Sequence, residues 1–151
     1  MTKNNIDSIN ELVKYLKYNC YPNDSISVSS FGIKNYDGFS IEFTGQEYEF
    51  NYQERGHKGV LKKFSSEKEV CNYVLTIIEK SETLRQHCIE FTKSEEKAKR
   101  VCYYLEKRGI RYLKDKIPYE ENNFRYRVFV FGRDMKKIRF LKLFFNMKII
   151  K

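Results

Sequence analysis

Two histidines and four cysteines are the residues here best suited to act as nucleophile, general base or metal ligand. His57 falls in Glu54-Arg55-Gly56-His57-Lys58-Gly59, which has the composition of a turn, and His87 opens a short apolar run with Cys88 beside it. A thiol activated by an imidazole needs the two groups within hydrogen-bond reach, yet adjacent residues of a strand point to opposite faces. Cys20, Cys71, Cys88 and Cys102 form no C-x-x-C pair. Cys71 and Cys102 fall on apolar faces of helical patterns, where a free cysteine packs as a small hydrophobe. No G-x-S-x-G, H-E-x-x-H, phosphate-binding loop or dinucleotide fingerprint occurs. The expectation is a protein that is not an enzyme and carries no metal and no cofactor.

Binding chemistry is better represented. Glu42, Glu47, Glu49 and Glu54 are expected on the exposed side of a hairpin, where clustered carboxylates repel and a basic partner would relieve the repulsion. Arg55 lies in the turn, and Tyr36, in the loop before the second strand, is a candidate aromatic anchor. A second set is basic. Phe124-Arg125-Tyr126-Arg127-Val128-Phe129 mixes arginine and aromatics on one strand, and Lys97, Arg100 and Tyr104 share a helix face able to neutralise phosphates. The strand is similar to those on which RNA-recognition modules stack bases, without their glycine-containing consensus. The plainer reading of both sets is a solvated surface.

Positioning these residues requires an α+β fold. Residues 7–18 read as an opening helix with Ile9, Leu12, Val13 and Leu16 on one face. Alternation around Ile26 and Val28, then Phe39, Ile41 and Phe43, then Tyr48, Phe50 and Tyr52, predicts strands, with Gly45 reversing the chain between the last two. A further strand runs from Val60 to Phe64, so an antiparallel β-meander with one wet face is expected, with flanking helices. Ser66 with Glu69 makes a capping box ahead of the stripe Val70, Cys71, Val74, Ile77 and Ile78. The second half reads βαββα, a partial ferredoxin-like order: a strand at His87–Phe91, a helix from Ser94 to Arg108 ended by Gly109, strands at Ile110–Ile117 and Phe124–Phe131 around a polar turn, and a last apolar helix from Asp134 to Asn146. A single domain is expected, with room for two lobes, 1–82 and 83–151.

Charge divides along the same line. Residues 1–80 carry 10 Lys/Arg against 11 Asp/Glu, whereas residues 81–151 carry 19 against 9. Two surfaces with different roles are expected. Lysine, asparagine, isoleucine and tyrosine abound and there is a single alanine, the imprint of an AT-rich bacterial genome that inflates lysine without function. The start MTKNNIDSINELVKY lacks the apolar core of a signal peptide, so a cytoplasmic protein with reduced thiols is expected. The segment Lys136 to Phe145 is read as a helix covering the sheet rather than one lying on a membrane.

The segment Tyr48 to Lys80 resembles small bacterial immunity proteins of polymorphic toxin and contact-dependent growth inhibition systems. The resemblance is carried by an aromatic strand, Glu54-Arg55-Gly56 at a turn, a strand ending at Phe64, and the capped helix Ser66-x-x-Glu69-x-Cys71-x-Tyr73. It implies a cytosolic α+β protein that binds a cognate toxin domain and occludes it stoichiometrically. It transfers no catalytic residues. Inhibitors of nuclease toxins are often acidic, and this chain, at +9, is basic overall. The alternative is a basic nucleic-acid-binding module using Lys97, Arg100, Tyr104, Arg125 and Arg127.

Overall fold

Ser8 starts the first helix, α1 (Ile9–Tyr18), by accepting a hydrogen bond from the Glu11 amide at 3.3 Å. The computed structural model describes residues 5–22, 26–28, 38–121 and 123–138, and divides the chain into two compact units, Met1–Leu84 and Arg85–Lys151.

In the first unit, strands β1 (Ile26–Val28), β2 (Gly38–Phe43), β3 (Tyr48–Glu54) and β4 (His57–Phe64) form one sheet in the order β1-β2-β3-β4. The antiparallel meander comprises β2, β3 and β4, but β1 joins β2 in parallel, with Ile26 beside Phe39 and Val28 beside Ile41. Side-chain alternation fixes which residues face the core and carries no information on strand direction, so the sequence could not distinguish the two pairings. The second helix, α2 (Glu67–Lys80), packs on β3 and β4 and buries Val70, Cys71, Val74, Leu75 and Ile78. Phe50 is 1% exposed, stacked on Phe39 at 5.3 Å and edge-on to Tyr73 at 5.8 Å. The helix starts are tied together: Ile9 N–H donates to Glu67 Oε1 at 2.6 Å, and Asn72 Nδ2 donates to the Ile6 carbonyl at 2.7 Å. Burial pushes the Cys71 thiol up to about 12, which keeps it an inert packing group.

The cap of α2 carries a pH dependence. Ser66 Oγ accepts from the Glu69 amide at 3.3 Å, while Glu69 Oε2 accepts from Ser65 Oγ at 2.9 Å and Ser65 N–H at 3.2 Å. The expected box therefore closes one residue further out. The Ser65 hydroxyl, then Ser66, holds the Glu69 carboxyl below its ordinary 4.5. A depressed carboxyl stabilises the fold above its unfolded pKa, and that contribution disappears as pH falls through the folded value. Glu69→Gln should therefore melt lower than the parent at neutral pH, with the gap closing in acid. Melting curves across pH check this, and a gap constant with pH would remove Glu69 ionisation from the cap.

The second unit contains β5 (Gln86–Thr92), α3 (Glu95–Glu106), β6 (Tyr112–Glu120) and β7 (Asn123–Phe131), with the sheet order β5-β7-β6. Both outer strands run antiparallel to β7, so β5 and β6 are parallel with β7 between them, a split βαβ. Ser94 Oγ caps α3 through the Lys97 amide at 3.1 Å, and Gly109, at φ +60, closes the helix with the Ile110 amide on the Leu105 carbonyl at 3.0 Å. Ala98, Val101, Cys102 and Leu105 meet Ile89, Val128 and Val130 in a core separate from that of the first unit. The polar turn expected from Pro118 to Asn123 is shorter, because β6 continues to Glu120 with Pro118 opposite Phe124. An edge strand accommodates a proline that a central one would not. A 3-10 turn, Gly132–Lys136, stands where the last helix was expected to begin, and the remainder of that segment, 139–151, lies outside the described residues.

Candidate functional site

The β3–β4 hairpin reverses through Arg55 at φ +50 and Gly56 at φ +83. Two central residues at positive φ are the mark of a type I′ turn, which favours Asn-Gly or Gly-Gly because a Cβ is strained there. Arg55 therefore sits in a conformation its residue type resists. Around it the sheet ends in a shallow groove of about 530 Å3 lined by Tyr52, Glu54, Arg55, His57, Lys58, Gly59 and Leu61. Tyr52 is 39% and Leu61 55% exposed. The ladder between β3 and β4 slips by one residue beside Phe50 and Asn51, leaving Leu61 without a cross-strand partner. β4 is the outermost strand of its sheet, and all its residues from His57 to Lys63 are exposed.

The acidic cluster is only partly assembled. Glu42 and Glu49 are cross-strand neighbours on the face away from Phe50, and Glu47 joins them from the β2–β3 turn. Glu54 does not. Two residues beyond Tyr52, it shares that residue's face and accepts its hydroxyl at 3.4 Å. The repulsion expected to invite a basic partner is also relieved within the chain: Lys58 pairs with Glu42, and Lys63 with Glu47 and, at 3.2 Å, with Glu49. Glu47, then Glu49, holds the Lys63 ammonium above its ordinary value. The wet face is interrupted too, because Ser40 and Asn51 at its centre are buried. By the strand register, the Lys58–Glu42 pair crosses β3 diagonally above Asn51. Tyr36 lies outside the described residues.

The basic candidates lie on two faces of the second unit. Val128 and Val130 point to α3, so Arg125 and Arg127 point away from it. Arg100 and Tyr104 are exposed on α3 itself, and Lys97 is committed to the buried Glu90 at 3.1 Å. Arg127 forms a fork with Asp115, its Nε donating to Oδ1 at 2.8 Å, and is held in its charged form by that carboxylate. One continuous surface for a nucleic-acid strand is not made by these five residues.

Groups with catalytic potential are no closer together. His87 is paired across the sheet with Val130 and Cys88 with Phe129, on opposite faces, and burial holds the Cys88 thiol above its ordinary value. Among the described residues no group of three His, Cys, Asp or Glu side chains could hold a metal ion, and no helix is long and apolar enough to cross a membrane.

Sequence reasoning found Glu54 and Arg55 but missed Tyr52 and Leu61. The adjacent apolar pair Val60-Leu61 was the available signal, since a strand with one buried face cannot bury two consecutive residues. Comparison with protein-family models, with curated proteins and with solved structures finds no match to this chain.

Proposed function

We propose that this chain is an immunity protein, which binds a cognate bacterial toxin domain and neutralises it by occlusion, with the β3–β4 hairpin end at the interface. The observation that supports this reading most is the exposed Tyr52–Leu61 groove gathered around Arg55, a tyrosine, an aliphatic and an arginine at a sheet end rimmed by charge. Interfaces concentrate their binding energy in tyrosine and arginine, ringed by groups that exclude water. The segment that resembles the immunity proteins comprises β3, β4 and α2, and so includes this groove. Glu42, Glu47 and Glu49, paired in cis on the other face of the sheet, stand outside this interface.

Affinity capture from the native bacterium, with nuclease treatment, tests the reading. A stoichiometric protein whose toxicity is abolished by co-expression of this chain is the expected result; nucleic acid alone, lost at higher salt, would overturn it. Arg55→Asn sharpens the test. Asn-Gly suits the turn, so the variant should gain roughly 0.5–1 kcal/mol of stability. Its affinity for the toxin should nevertheless fall about tenfold, as for a residue at an interface centre. Full affinity in the stabilised variant would move the interface elsewhere.

A further inference from the structure

Arg125 is 9% exposed on the β7 face away from α3, and among the described residues no carboxylate pairs with it. Phe91 from β5 and Tyr119 from β6 reach across β7 to meet edge to face at 5.5 Å. The Arg125 guanidinium lies against the Tyr119 ring at 4.1 Å. Its single hydrogen bond, from Nη1 to the carbonyl of Phe124 at 3.1 Å, leaves the other donors without a partner among the described residues. None of its nitrogens is both buried and unpartnered, so those free donors meet solvent and are open to a ligand.

The same face shows what is missing. Two residues along β7, Arg127 is satisfied by Asp115, its cross-strand neighbour on β6. The β6 residue opposite Arg125 is Ile117, which offers nothing. We infer that Arg125, roofed by Phe91 and Tyr119, is the receptor for an aspartate or glutamate side chain of the protein partner. This rests on the proposed toxin-binding function and specifies that the toxin presents an acidic side chain to the second unit. Two features select a protein carboxylate. The planar fork matches a carboxylate as it does at Arg127. Tyr119 is 52% exposed, so the site opens beside a tyrosine, a residue favoured at interface centres. Residues 85–151 carry 19 Lys/Arg against 8 Asp/Glu, which draws an acidic surface towards the unit.

The full chain should be titrated with an oligoglutamate peptide, inorganic phosphate and a short oligothymidylate while the Arg125 Nε–H signal is followed by NMR. Oligoglutamate should shift that signal saturably and bind about tenfold more tightly than in Arg125→Met. The inference is overturned if the signal does not move or if Arg125→Met binds the peptide equally well. Tighter binding of oligothymidylate or phosphate than of the peptide would overturn it in favour of a phosphate site. The titration needs no toxin, so the two readings fail separately. A peptide response with no toxin captured sinks the toxin-binding proposal while the carboxylate site stands; a captured toxin indifferent to Arg125→Met sinks the carboxylate receptor alone.

Discussion

Phe50→Ala should cost the first unit about 3–5 kcal/mol, the upper range for emptying a core aromatic site. Phe50 lies between two layers that cannot both follow it inward. Phe39 stacks on one side at 5.3 Å and is fixed by its strand, and Tyr73 stands edge-on at 5.8 Å on α2. Tyr73 is also held by Phe64 at 5.1 Å and by the Lys62 ammonium over its ring at 4.5 Å. A cavity here would persist instead of collapsing. Phe43→Ala supplies the control: a phenylalanine on the neighbouring strand, 52% exposed and tilted against Tyr48 at 4.8 Å, should cost roughly 1 kcal/mol. Urea unfolding of both variants checks the pair. Equal losses would mean that α2 is not seated on β3.

What the sequence made legible was local. Ser66, Glu69 and the stripe from Val70 to Ile78 specify α2 by short-range chemistry and period, and the helix forms where they place it. The alternation of Phe39 and Ile41 with Phe50 and Tyr52 likewise selects the core face of β2 and β3. Relations between distant strands were not legible. Lys58 and Glu42 are 16 residues apart and meet only because the middle strand brings β2 and β4 within a lysine's reach. The fork of Arg127 on Asp115 and the solitude of Arg125 opposite Ile117 both depend on the β6–β7 register. Glu54 shows a different failure. Its parity with Tyr52 could be read from the sequence, but a general preference for carboxylates on wet faces prevailed over counting. For the candidate site, the turn at Arg55 was readable from Gly56, whereas Leu61 becomes prominent only through a bulge.

The pair Ser40→Ala with Asn51→Val should make the protein more stable by about 2 kcal/mol or more, a gain from removing polar groups. Ser40 and Asn51 are cross-strand neighbours, and Asn51 is 0% exposed. Ser40 Oγ and both polar atoms of the Asn51 amide are buried without a hydrogen-bond partner among the described residues. Each such atom has given up water and gained nothing, at a cost of roughly 1–3 kcal/mol for a group. Valine also suits the middle of a strand. The cover over this site is itself polar, because the Lys58–Glu42 pair spans β3 there, so Lys58→Ala should admit water to Asn51. The Asn51→Val gain should accordingly shrink in a Lys58→Ala background, a non-additivity that separate sites would not show. Denaturant midpoints of the four combinations of Asn51→Val with Lys58→Ala measure the coupling. A midpoint that falls with Asn51→Val alone would mean the amide is satisfied, and the sheet would then lose its clearest internal cost. A midpoint that rises would place stability in reserve beneath the charged pair, enough to offset the strained turn at Arg55.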